Sequence, residues 1–228
     1  MAPHNIWIEC PYRARAGEEL TARIRFGHNF IVQGKADPLR TGVWLVTPGG
    51  RKVPLTVDAG EKELAVAFVP GEWGVYTLLC EYDGKIWSIG RDGRHLRGPR
   101  TDHPGIEITS SFYSYQFAKT FISVETDYPW PGPLGLELEI VPQPPAHRQL
   151  EVAVLYEGRP LTGISVQAFC AGNPSPYTAS TNAQGIARFP FAKGRWMFLT
   201  SYADPQKGVP GQYDERCLTA VFTLKATV

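Results

Sequence analysis

Long apolar runs are missing from this chain of 228 residues. Without ~18 consecutive apolar residues it holds no candidate membrane-spanning helix. An excess of one charge is missing too. With 23 Lys and Arg against 22 Asp and Glu, the net charge of +1 makes no electrostatic case for nucleic acid or an anionic membrane. The nearest cationic cluster is Arg91, Arg94, Arg97 and Arg100. Gly90, Gly93, Gly98 and Pro99 break it up, which argues for a loop rather than a basic helical stripe. Cysteine is scarce, with four residues at positions 10, 80, 170 and 217. None has CxxC spacing, so neither a zinc knuckle nor a dithiol redox motif is present. Two in each half permit Cys10–Cys80 and Cys170–Cys217 disulfides in an oxidising compartment, and four buried thiols fit the sequence as well. Catalytic signatures are absent: no Gly-x-Ser-x-Gly elbow, no HExxH, no glycine loop for phosphate. The expectation is a protein that is not an enzyme.

What is abundant is strand and turn. Short β-rich runs recur at Leu20 to Phe26, Gly42 to Thr47, Leu64 to Val69, Gly74 to Tyr82 and Ala118 to Val124. Turn clusters such as Thr47-Pro48-Gly49-Gly50 separate them, and the 20 prolines and 23 glycines suit a fold of many turns. After Asp127 the texture changes. Two proline-rich stretches, Tyr128 to Pro133 and Pro142 to Pro145, bracket a strand-like piece at Leu136 to Val141. Such segments are stiff and extended, which places a domain boundary near 142–148 and divides the chain into 1–146 and 147–228. The second part repeats the β pattern at Leu150 to Tyr156, Ile164 to Cys170, Ile186 to Phe189, Arg195 to Tyr202 and Cys217 to Leu224. The fold class is all-β, built as sandwiches.

The five histidines are the best functional handle on such a scaffold. His4 stands close to the N-terminus. Were Ala2 the first residue, His4 would be third, where amino-terminal copper and nickel sites place a histidine. That square-planar arrangement also needs an amide proton at the second residue, and Pro3 has none. A site using the His4 ring with other side chains stays open. His28, between Gly27 and Asn29, suits a tight exposed turn, where it either ligates or merely packs beside Phe26 and Phe30. His103 follows Asp102, a carboxylate able to orient its ring. His95 and His147 read as loop residues. Imidazoles from separate loops form open sites for nickel, cobalt, copper or zinc. The six tryptophans offer the alternative of a carbohydrate-binding or adhesion module, although Trp73 and Trp196 sit in strand-like settings that suggest core.

Read in order, several segments resemble one known family. They are His4-Asn5-Ile6-Trp7-Ile8-Glu9, Gly27-His28-Asn29-Phe30, Gly74-Val75-Tyr76-Thr77-Leu78 and Ala118-Lys119-Thr120-Phe121. The most specific is Leu134 to Pro142, followed by Val154 to Leu161, Thr181 to Gly185 and Gly194-Arg195-Trp196. The chain resembles the periplasmic accessory proteins of nickel and cobalt uptake (NikK-like components), a family classed as a domain of unknown function. The resemblance implies an immunoglobulin-like N-terminal sandwich and a C-terminal one like the prealbumin and carboxypeptidase-regulatory modules. It also implies export to the periplasm and a role in supplying Ni²⁺ or Co²⁺ to the membrane components of a transporter. Carried over position by position, it supports His4 and His28 as metal ligands. His103 joins them because its loop could reach the same end of the first sandwich. Ala2-Pro3 depart from the pattern, since a histidine often begins the mature family proteins.

Overall fold

A computed structural model describes every residue except 1–3, 62, 127–129, 147–148, 174 and 228. Strands dominate it. The first are β1 (Asn5–Glu9), β2 (Arg13–Ala14), β3 (Leu20–His28), β4 (Ile31–Gly34), β5 (Thr41–Val46) and β6 (Lys52–Leu55). Then come β7 (Asp58–Ala59), β8 (Leu64–Phe68), β9 (Gly74–Gly90), β10 (His95–Arg97) and β11 (Ile108–Val124). The later ones are β12 (Leu138–Ala146), β13 (Gln149–Tyr156), β14 (Arg159–Pro160) and β15 (Ser165–Cys170). The chain closes with β16 (Tyr177–Ser180), β17 (Ile186–Pro190), β18 (Gly194–Asp204) and β19 (Glu215–Ala226). Among the described residues three short 3₁₀ turns interrupt the pattern, and no described helix is long and apolar enough to cross a membrane.

One long sheet runs through both parts in the order β16-β15-β18-β19-β11-β9-β5-β6. At its middle β11 pairs in parallel with β19, from Phe112↔Glu215 to Thr120↔Thr223. Two smaller sheets cover its ends. The one ordered β1-β3-β8-β7, with β4 beside β3, encloses a core around Ile6, Trp7, Ile24, Leu64 and Leu78. The one made of β12, β13, β14 and β17 encloses a second core around Leu138, Val154, Phe189, Trp196 and Phe222. The protein is an all-β sandwich. Alternation drives this layering: β3 reads buried-exposed from Leu20 to Ile24, so one face meets the core. β1 differs, because Ile6, Trp7 and Ile8 are all buried and the strand lies inside the sandwich.

Pro142 to Pro145 continues β12, which pairs antiparallel with β13. Between the two cores lies a buried ion pair. Lys119 of β11 donates to Glu139 of β12, both almost wholly buried. Glu139 also accepts the backbone N–H groups of Leu134 at 2.8 Å, Gly135 at 3.1 Å and Leu136 at 3.2 Å. Burial pulls the Lys119 ammonium below its ordinary pKa, and the Glu139 carboxylate opposes that shift. This pair gives a physical reason for two of the resembling segments, around Lys119 and Glu139.

Two expectations need correction. All four cysteines are free thiols, so neither anticipated disulfide forms. The strand registers exclude Cys170–Cys217: Cys170 aligns with Trp196, hence with Leu224, while Cys217 aligns with Ala203. That offset along β19 is roughly 23 Å. Burial pushes the Cys10 and Cys217 thiols up to about 12 and raises Cys80 as well, which leaves them poor nucleophiles at neutral pH. Trp196 is core, as expected, but Trp73 is 73% exposed, because it occupies the turn before β9 rather than a strand.

Candidate metal centre

The β1–β3 register builds the site. Asn5 pairs with Gly27 and Ile6 with Phe26. Continuing that antiparallel register one residue outward sets His4 opposite His28, where cross-strand side chains touch. Their rings do meet, with centroids 4.9 Å apart at an interplanar angle of 68°. His4 also lies edge-on to Phe26 at 4.9 Å.

Each histidine is held from behind. Gln116 of β11 is 3% exposed and grips the start of β1 with both ends of its amide. Its Oε1 accepts from the Ile6 N–H at 3.0 Å, and its Nε2 donates to the His4 carbonyl at 2.8 Å. His28 closes the β3–β4 hairpin opposite Ile31. Asn29 and Phe30 form its two-residue turn, with φ of 53° and 64°. Positive φ at both positions is the twist a tight hairpin requires, and asparagine adopts it readily. Phenylalanine does so rarely. Phe30 is retained there by an edge contact to Trp7 at 6.3 Å and by the Arg195 guanidinium 5.3 Å from its ring. Gly27 is dictated by space, since a Cβ there would lie 2.1 Å from the Ile31 carbonyl oxygen.

His28 Nδ1 lies 2.5 Å from Gln33 Oε1, a contact that orients the ring. A ligating histidine is commonly held in this way by a partner on one of its nitrogens. Burial, and secondarily the neighbouring His28, hold the His4 imidazole below its ordinary value of 6.5. At neutral pH it is accordingly the uncharged, metal-ligating form.

The remaining histidines are placed differently. His103 caps the 3₁₀ turn Arg100–Asp102, and its Nε2 is buried without a hydrogen-bond partner. Among the described residues no group of three His, Cys, Asp or Glu side chains forms a metal-holding set, so His103 is not gathered with His4 and His28. His147 lies outside the described residues. His95 is more prominent than its loop-like sequence suggested. It begins β10, opposite Ile89, and it lines the same cleft as His4. That cleft, of about 680 Å³, is walled by Phe26, Tyr82, Trp87 and Phe112. Sequence reasoning missed Gln33 and Gln116 and read His95 as a loop residue. Gln116 acts across 112 residues of chain, which no local spacing could show.

Against known proteins, a two-domain fibronectin type III segment of chicken tenascin aligns at 10% identity and a TM-score of 0.28, covering 97% of this chain and 99% of that one. A chain from a cytokine receptor complex aligns at 10% identity and 0.27, covering 97% and 98%. A Haemophilus influenzae protein, described as uncharacterized, is 23% identical over 225 residues, which is 98% of this chain and 90% of that protein. The profile of one family matches residues 1–204, and the chain thus belongs to DUF4198, a domain of unknown function.

Proposed function

We propose that this protein binds a transition metal ion, Ni²⁺ or Co²⁺, through the imidazoles of His4 and His28. It does so as an exported, periplasmic accessory component that passes the ion to the membrane components of an uptake transporter. The observation that carries the reading is the pair of rings 4.9 Å apart, presented at one end of the first core. Its chemistry fits: Gln33 orients the His28 ring, and burial favours the neutral form of His4. Nickel and cobalt accept imidazole readily. The resemblance of the segments around His4 and His28 to nickel and cobalt uptake proteins supports the choice of metal and the role in transport. The ion is cargo, and the protein performs no chemistry on it.

Calorimetric titration with NiCl₂ near neutral pH tests the proposal, using protein without a polyhistidine tag. Micromolar or tighter binding is expected, with its loss in both His4→Ala and His28→Ala. Undiminished binding in both variants would overturn the site.

A further inference from the structure

We propose that the ion arrives as a complex with a small carboxylate-bearing chelator, and that the cleft beside His4 holds the organic part. The inference rests on the metal reading above and names the form of its substrate. Two imidazoles leave at least two coordination positions of Ni²⁺ or Co²⁺ open. No third His, Cys, Asp or Glu among the described residues completes the set. The missing donors have a source in the geometry, because the His4 ring meets His28 and the same residue lines the cleft.

The lining of that cleft states what it would take. Tyr82, Trp87 and Phe112 give it apolar walls, and Arg40, Arg97 and His95 bring donors to it. Other cations near the cleft are already engaged. Arg40 pairs with Asp37 at 3.1 Å, and Lys35 donates to the Gly60 carbonyl at 2.9 Å. Of the four arginines in the 91–100 stretch, Arg91 pairs with Glu107, Arg94 with Asp92 and Arg100 with Asp214. Arg97 is the exception. Among the described residues it forms no ion pair, and its guanidinium lies 5.6 Å from the Trp87 ring centre, at the cleft. A guanidinium beside an aromatic ring at the wall of a cavity is suited to a carboxylate. A chelate that brings carboxylates with its ion would give this guanidinium a partner, which a bare divalent cation would not.

Equilibrium dialysis with radiolabelled citrate and nickel tests this, citrate being the polycarboxylate probe. The expected result is one citrate retained per nickel, with little citrate retained when nickel is left out. Arg97→Gln should lower citrate retention about ten-fold, the loss typical of one charge-assisted contact, with a thermal melt as the check on folding. Nickel retained while citrate stays outside would overturn the inference and leave the metal reading standing. Equal citrate retention without nickel would also overturn it, by making the cleft a metal-independent anion site. Unchanged citrate retention in Arg97→Gln would remove the cleft from the account. If nickel is retained neither alone nor with citrate, the metal reading fails and this inference fails with it.

Discussion

Two polar pairs in this molecule are built on opposite plans. Lys119 and Glu139 lie buried between the two cores with complementary charges, and the Glu139 carboxylate is further supplied by three backbone N–H groups. His4 and His28 lie half-buried at one end of the first core, with like chemistry and no carboxylate, thiol or third imidazole completing a set among the described residues. The first pair satisfies itself. The second brings two rings of like chemistry together, and burial, with the neighbouring ring, lowers the proton affinity of His4. Proximity of titratable groups therefore says little until the signs of their charges and the remaining hydrogen bonds are counted.

The largest effect separating the pairs should come from Lys119→Met. It leaves Glu139 buried without its counter-ion, which costs about 3–5 kcal/mol, read as a shift in the urea unfolding midpoint. A loss below about 1 kcal/mol would show that the pair is dispensable and would blur the contrast. Next is Gln33→Ala, which removes the bond that orients His28. Nickel affinity should drop about ten-fold, at the low end for such supporting contacts, with little change in the unfolding midpoint. An affinity equal to that of the wild type would mean that Gln33 does not orient the ring for binding. The smallest effect is in pH. The folded His4 binds its proton less readily than the unfolded chain does, so its contribution to stability is full above 6.5. It is lost as pH falls through the depressed folded value. The wild-type melting temperature should therefore decline slightly more than that of His4→Gln on acidification across that window, and parallel curves would remove the His4 shift from the account.

Much of the architecture was legible because strands announce themselves locally. Alternation and turn clusters placed segments such as Leu20 to Phe26 and Leu150 to Tyr156 within a few residues of β3 and β13. The turn at Gly27-His28-Asn29-Phe30 was readable for the same reason. Failures came where distant parts meet. Trp73 looked like core because its neighbours are strand-like, yet one position outside β9 it faces solvent. Pro142 to Pro145 read as a stiff stretch at a domain boundary, and its pairing as part of β12 with β13 was not visible locally. His4 and His28 are distant in sequence, and only the β1–β3 register makes them neighbours. His95 was undervalued because nothing near it indicates that β10 folds back along β9 toward the same cleft.

The parallel pairing of β11 with β19 also bears on the order in which the molecule can be completed. β11 holds the start of β1 through Gln116, but one edge of β11 stays open until residues 215–226 take their place beside it. During synthesis the first core can gather early, while the strand that carries the clamp on His4 waits for the last one described. Long-range parallel pairing of this kind is slow to form. A polypeptide interrupted before β19 would expose the edges of β11 and β18 together, the sort of unpaired surface from which aggregation begins.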